Sequence, residues 1–272
     1  MIRIISILAG LFFAAAVLWS LLWDTIQLSK DGLPHTASTD FGEHPKKLHL
    51  ASDGVFGKFD EAQLQRGLAV YQGVCASCHS IQQVSYRSLA ALGYNEAEVK
   101  AIAAKATIAA KDPLTGEVKD RPGLPTDKFP AVVYAGVGNP PDLSLMTKAR
   151  HGGAPYVYSL LTGYETKQPA ELLKKYPDSK TGENMHYNPY FANLNIAMAP
   201  PLASDDLVTY SDGTKATRDQ MAKDVAAFLV WTAEPELEKR HQVGFIWVLF
   251  MLFATVLGYM SYRNIWADKK GH

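Results

Sequence analysis

Three observations predict a mainly α-helical fold, with one folded domain between two apolar helices. Uncharged runs of 20 residues, Ile4–Trp23 and Val243–Tyr262, stand near the two ends of the 272-residue chain. Between them, the stretches after Asp60 and Thr217 set apolar residues at helical spacing behind a capping residue. No strand–helix alternation surrounds the only two cysteines, Cys75 and Cys78.

Composition narrows the class further. The chain is 47% hydrophobic and 20% charged, which is ordinary for a folded protein and argues against disorder. Its length leaves room for one sizeable domain plus appendages. Basic and acidic residues balance at 27 each, so the chain lacks the positive footprint that nucleic-acid binding requires.

Arg3 precedes the first apolar run and Asp24 closes it. As a helix the run reaches about 30 Å, enough to cross a bilayer. The apolar core of a removable secretory signal is shorter, usually about 7–15 residues. No A-x-A-like cleavage site closes the run, the nearest weak one being around Ala37, and Trp19 and Trp23 resemble interfacial anchors. Residues 1–23 are therefore expected to form a signal anchor, with a signal peptide as the alternative; either one exports the domain beyond it. Residues 24–60 are polar and punctuated by Gly32, Pro34, Gly42, Pro45, Gly54 and Gly57. They read as a linker ordered against the domain. His35, His44 and His49 lie there without the spacing of a metal motif.

Asp60 is a plausible N-cap for a helix to Val74, with Leu64, Leu68 and Tyr71 on one face. Gly67 on that face costs helix propensity and so predicts the close approach of another helix. This helix delivers Cys75-Ala76-Ser77-Cys78-His79, the C-x-x-C-H signature of c-type haem attachment. Two thiols three positions apart can form thioethers with the two vinyl groups of one porphyrin, and the adjacent histidine is placed to ligate the iron. A structural zinc site would need four ligands, and two cysteines without an H-x3-5-H pair do not supply them. A redox dithiol would sit near a βαβ pattern. One-electron transfer through a covalently held haem is the reading that remains. The fold class is thus a mainly α c-type cytochrome domain with long loop insertions, a C-terminal transmembrane helix and an N-terminal apolar helix.

Asn95 with Glu98 predicts a helix start, continuing through an Ala- and Lys-rich stretch to about Ala110. Residues 112–130 read as a loop, and Gly136, Gly138, Pro140 and Pro141 extend the irregular region. Arg150 in Arg150-His151-Gly152-Gly153 is a candidate partner for a haem propionate. Pro155 begins a short helix to about Thr162, with Tyr156 and Tyr158 near its start. Residues 165–193 are polar, a surface excursion that ends in the aromatics of Tyr187-Asn188-Pro189-Tyr190-Phe191. In Ala197-Met198-Ala199-Pro200-Pro201 the prolines impose an extended backbone suited to rigid presentation of a thioether. Met198, Met146, Met185 and His151 all remain candidates for the sixth iron ligand on this evidence, and core packing is the ordinary use of a single methionine.

Thr217-Arg218-Asp219-Gln220 reads as a capping box for a helix to about Thr232, whose apolar face suits packing across Gly67. The second apolar run, 243–262, is followed by Arg263, Lys269 and Lys270. Lys239 and Arg240 on its other side weaken the charge rule, but export of the haem domain makes the run a C-terminal anchor with residues 263–272 in the cytoplasm.

Taken in order, these segments resemble the cytochrome c1 family, the haem subunits of quinol–cytochrome c reductase. The resemblance rests on Glu43-His44-Pro45 through His49, Phe56-Gly57-Lys58-Phe59-Asp60, Cys75–His79 and Pro140-Pro141-Asp142-Leu143-Ser144. It continues through Ala149–Gly153, Leu160–Tyr164, Asn188–Phe191, Met198–Leu202, Ala222–Val225 and Ala233–Glu236. It implies one covalently bound haem c on Cys75 and Cys78, His79 as proximal ligand and Met198 as sixth ligand. It further implies a propionate contact from Arg150, with Tyr156 and Pro140 near the haem. In that family the haem accepts electrons from a Rieske iron–sulfur protein and passes them to a cytochrome c, within a dimeric complex that includes cytochrome b. The haem domain, residues 24–242, would lie on the periplasmic side of a bacterial inner membrane. Some bacterial members carry an extra disulfide, for which this chain has no cysteines. Such a subunit is no catalyst alone. A membrane-tethered carrier serving an oxidase and a ligand-sensing haem module are the competing readings.

Overall fold

The computed structural model describes residues 2–32, 35–111, 116–136 and 138–269. Pro34, residues 112–115 of the expected loop with Pro113, and Lys270 at the tail lie outside the described residues. The first elements are α1 (Ile2–Asp31), α2 (Ala37–Phe41), α3 (Glu61–Gly73) and α4 (Glu96–Ala104), then β1 (Thr107–Lys111) and β2 (Val118–Pro122). After them come α5 (Met146–Ala149), α6 (Gly153–Thr162), α7 (Ala170–Lys175), β3 (His186–Tyr187), β4 (Asn195–Ile196), α8 (Arg218–Ala233) and α9 (Leu237–Trp266).

The domain is organised on the crossing of α3 and α8. Asp60 caps α3 by accepting from the Gln63 N–H at 3.1 Å, and Thr217 caps α8 by accepting from the Gln220 N–H at 3.1 Å. Only half of the expected box at Thr217 forms, because the Gln220 side chain donates instead to Asp224 at 2.9 Å. The helices meet where Gly67 removes a side chain: a Cβ there would lie 2.2 Å from the Asp224 carbonyl oxygen and 2.5 Å from Phe228 Cβ. Around this point Leu64, Leu68, Tyr71, Phe228 and Trp231 are buried with Leu89, Leu92 and Val157. Each large apolar side chain in such a core contributes about 1.5–3 kcal/mol. Gly67→Ala should therefore cost about 1–3 kcal/mol by overpacking. Urea unfolding of the haem-loaded chain measures this, and an unchanged midpoint would contradict the contact.

A second cluster, Val70, Leu202, Tyr210, Met221 and Val225, continues the core along α3 towards the cysteines. Residues 165–193 are more than a surface excursion. Leu172, Tyr187 and Leu194 form a satellite core against Phe41 and Tyr176, which also orders the polar segment after α1. Glu43 N–H donates to the Pro189 carbonyl at 2.9 Å, and Lys46 N–H to Ser159 Oγ at 2.7 Å.

The helix expected to reach Ala110 ends at Ala104. Residues 107–111 instead pair antiparallel with 118–122, in the register Thr107↔Pro122 to Lys111↔Val118. Alanine and lysine allow either state locally, and here cross-strand pairing decides it. Pro122 takes the final position, where its missing N–H costs the ladder least.

α1 and α9 are each long and apolar enough to cross a membrane. Their apolar segments have mean hydropathies of 2.4 and 2.2, with side chains that the chain itself leaves exposed. The two expected runs lie inside them. The domain grips the base of α9: Phe59 N–H donates to Glu238 Oε1 at 2.8 Å, and Arg240 pairs with Glu234 at 2.5 Å.

Candidate functional site

α3 ends at Gly73, and the chain turns into a short 3-10 segment, Cys75–Ser77. Cys78 N–H and His79 N–H both donate to the Cys75 carbonyl, at 3.1 and 2.9 Å, which fixes the motif as one compact turn. Both thiols are free and half-buried. Cys75 packs on the first two apolar clusters, and this burial, with the neighbouring Cys78, pushes its thiol up to about 12.

His79 is oriented from its far nitrogen. Nδ1 lies 2.8 Å from the Pro141 carbonyl oxygen. A carbonyl only accepts, so Nδ1 carries the proton and Nε2 keeps a lone pair for a metal. Tyr71 Oη donates to the His79 carbonyl at 3.0 Å, holding the backbone from the α3 side. The next residue after Pro141 locks the loop. Asp142 accepts from Ser80 Oγ (2.9 Å), Gln82 N–H (2.8 Å) and Ser144 N–H (2.9 Å), tying the chain just beyond His79 to the loop that bonds it.

Burial opposes the charge on Asp142, but bonds from Ser144, Gln82 and Ser80 outweigh it and hold its carboxyl below the ordinary value. A carboxyl depressed in the fold contributes stability that is full above its unfolded pKa, about 4, and is lost as pH falls through the lower folded value. Asp142→Asn should therefore destabilise the haem-loaded chain by about 1.5–3 kcal/mol at neutral pH. It should also flatten the acid-side loss of stability, as read by urea unfolding between about pH 5 and pH 2. Equal acid profiles for the two proteins would contradict the role.

The remaining residues that the resemblance implies lie before and on α6 and in the segment after β4. Gly152 and Gly153 take φ values of +85° and +53°, a reversal that L side chains rarely adopt, and it turns the chain into α6 just beyond Arg150. Arg150 is exposed, with its guanidinium on Tyr156; burial raises the Tyr156 hydroxyl and Arg150 pulls it back. Tyr164 lies beside Tyr156, and burial first, then that neighbour, raises its hydroxyl too. Tyr164 Oη donates to the Met198 carbonyl at 3.0 Å. Met198 is half-buried, at a bend that follows β4 and precedes Pro200 and Pro201. Cys75 and Tyr156 both pack against the same apolar cluster.

The other candidates for the sixth ligand have their own surroundings. His151 is exposed, Met146 starts α5 against the first core cluster, and Met185 lines an open cleft with His186, Tyr164 and Pro200. That cleft, about 1090 Å³, has lysines and carboxylates in its walls and none of Cys75, Cys78 or His79. Among the described residues no three His, Cys, Asp or Glu side chains gather as a metal site. His35 pairs with Asp40 at 2.9 Å.

Pro141, Asp142, Tyr71 and Tyr164 are site residues that the sequence alone does not mark as such. The family resemblance points to Pro140, yet the carbonyl on His79 belongs to its neighbour. Tyr71 reads only as core from its helical spacing, and nothing local marks Tyr164 as a partner of a residue 34 positions away.

The donor set suits a haem: two free thiols, an imidazole with Nε2 available, and a methionine whose backbone carbonyl is held by Tyr164. Comparison with known proteins bears on the same point. Residues 50–269 match the Cytochrome C1 family. The chain is 43% identical over 233 residues to cytochrome c1 of Rhodospirillum rubrum, covering 80% of this chain and 85% of that protein. It is 43% identical over 240 residues to "Cytochrome c1 1, heme protein, mitochondrial" of Arabidopsis thaliana, covering 84% and 75%. The "Cytochrome b-c1 complex catalytic subunit, mitochondrial" of Candida albicans is 38% identical over 252 residues, covering 89% and 83%. The chain belongs to the Cytochrome C1 family.

Proposed function

We propose that this chain carries one haem c, bound through Cys75 and Cys78, and relays single electrons as the cytochrome c1 subunit of a cytochrome bc1 complex. The observation that carries the reading is the C-x-x-C-H turn with His79 Nδ1 engaged by Pro141, which leaves Nε2 as the only ring nitrogen able to bind iron. When bound, the haem supplies a reversible one-electron iron couple. The chain's own residues set its surroundings. His79, polarised through Pro141, gives a basic nitrogen ligand. Met198, held by Tyr164, gives a soft neutral ligand that favours the reduced iron. Arg150 and Tyr156 offer a cation and a hydroxyl to a propionate, and Pro140 adjoins the carbonyl that orients His79.

The electron donor on this reading is a Rieske iron–sulfur protein and the acceptor a cytochrome c, with cytochrome b as neighbour in a dimeric complex. On this reading α9 anchors the domain, residues 263–272 form a cytoplasmic tail in a bacterial cell and residues 24–242 lie in the periplasm, an orientation that Arg263 and Lys269 after the apolar run support. Purification from membranes in mild detergent tests the assignment. Co-purification of a di-haem cytochrome b and a Rieske protein in stoichiometric amount is the expected result. Their absence, with an oxidase in their place, would support the tethered-carrier reading instead.

A further inference from the structure

We infer that the turn carrying Val55 and Phe56 dips into the lipid headgroup layer beside α9, giving the haem domain a second foothold on the bilayer. The two side chains are 68% and 79% exposed, although the turn that carries them is firmly built. Asp53 N–H donates to the Leu50 carbonyl (3.0 Å), Lys58 N–H to the Ala51 carbonyl (2.9 Å), and the Asp53 carboxylate accepts from Leu50 N–H (2.9 Å). A rigid turn that presents two large apolar side chains outward has a surface to meet.

Position identifies that surface as lipid. The Phe56 ring stands edge-on to Phe245, with centroids 6.2 Å apart. Phe245 is the third residue of the uncharged run that starts at Val243. At about 1.5 Å of rise per residue it lies only a few ångströms past the start of the apolar span. Phe56 must share that depth to within the ring separation, at the boundary where aromatic side chains partition. The bond from Phe59 N–H to Glu238 fixes the turn against the helix just outside the membrane. Exposed Lys58 comes next in the chain after Gly57, placed to meet lipid phosphate.

The inference rests on α9 crossing the bilayer, so the test separates the two. Phe56→Cys, Val248→Cys and Ser211→Cys are made in the full haem-loaded chain, whose own cysteines are consumed by thioethers. Each is placed in nanodiscs of phosphatidylcholine and phosphatidylglycerol and treated with a charged, water-soluble thiol reagent. Position 56 should react about tenfold or more slowly than exposed Ser211→Cys, near the protection of Val248→Cys within the span. A phospholipid with a photoreactive group near its glycerol should cross-link to the 51–58 segment and not to 205–215. Fast reaction at 56 with position 248 protected overturns this inference alone. Fast reaction at both overturns the spanning helix as well. Protection at 56 without lipid cross-links, or protection that arises only in an assembled complex, assigns the turn to protein and overturns the lipid reading.

Discussion

Met198→Leu should lower the reduction potential of the haem by on the order of 0.1–0.2 V and open the sixth iron position to carbon monoxide. Leucine keeps the size and apolarity of the side chain but removes the only atom able to ligate. The backbone should hold, because the segment is fixed by Pro200, Pro201 and the 3.0 Å bond from Tyr164 to the Met198 carbonyl, which do not involve the thioether. Fold loss therefore does not confuse the result. Potentiometric titration in membranes measures the shift. Met146→Leu and Met185→Leu are the controls, and both should leave the potential in place. An unchanged potential for Met198→Leu, with a retained low-spin methionine spectrum, would sink the assignment of the sixth ligand.

The largest expected loss of stability lies away from the iron, at Asp224. This carboxylate is fully buried on α8 and accepts from Arg66 Nε at 3.0 Å, Gln63 Nε2 at 3.2 Å and Gln220 Nε2 at 2.9 Å. Asp224→Ala would leave a guanidinium and two amides in the α3–α8 interface without their shared acceptor. Removing one partner of such a buried pair costs about 3–5 kcal/mol. Arg66 also reaches Asp212 at 2.6 Å, but that carboxylate is 35% exposed. Asp212→Ala should therefore cost about 1 kcal/mol or less. Urea unfolding of the haem-loaded variants measures both. Similar losses at Asp224 and Asp212 would contradict the idea that burial sets the difference. Because α3 leads directly into Cys75, loosening this clamp should also broaden the spectroscopic signature of methionine ligation before global unfolding.

Much of this architecture is legible in the sequence because its determinants are local. Asp60 and Thr217 announce their helices through a side chain that reaches a backbone N–H three residues on. Gly67 announces a close helix contact because nothing else explains a glycine on an apolar face. C-x-x-C-H is local too, since its chemistry is written in five consecutive residues. The stretch 105–122 is illegible for the opposite reason. Its alanines and lysines suit a helix as well as a strand, and only pairing with a segment beyond Lys111 decides. The same limit hides the satellite core, where Leu172, Tyr187 and Leu194 come from separate turns of a polar region. Around the proposed haem site, the motif points to Cys75, Cys78 and His79 and only the family resemblance singles out Met198, while the groups that hold these residues are not legible at all. Asp142 acts through the backbone of its neighbour, and Tyr164 through a carbonyl far along the chain.

An iron held between His79 and Met198 is the feature on which the electron-transfer assignment depends most. Near-infrared magnetic circular dichroism of the oxidised full chain, purified in mild detergent, reports the axial ligand pair directly. A low-spin histidine–methionine signature is expected. A bis-histidine, histidine–lysine or five-coordinate high-spin signature would contradict that ligand pair.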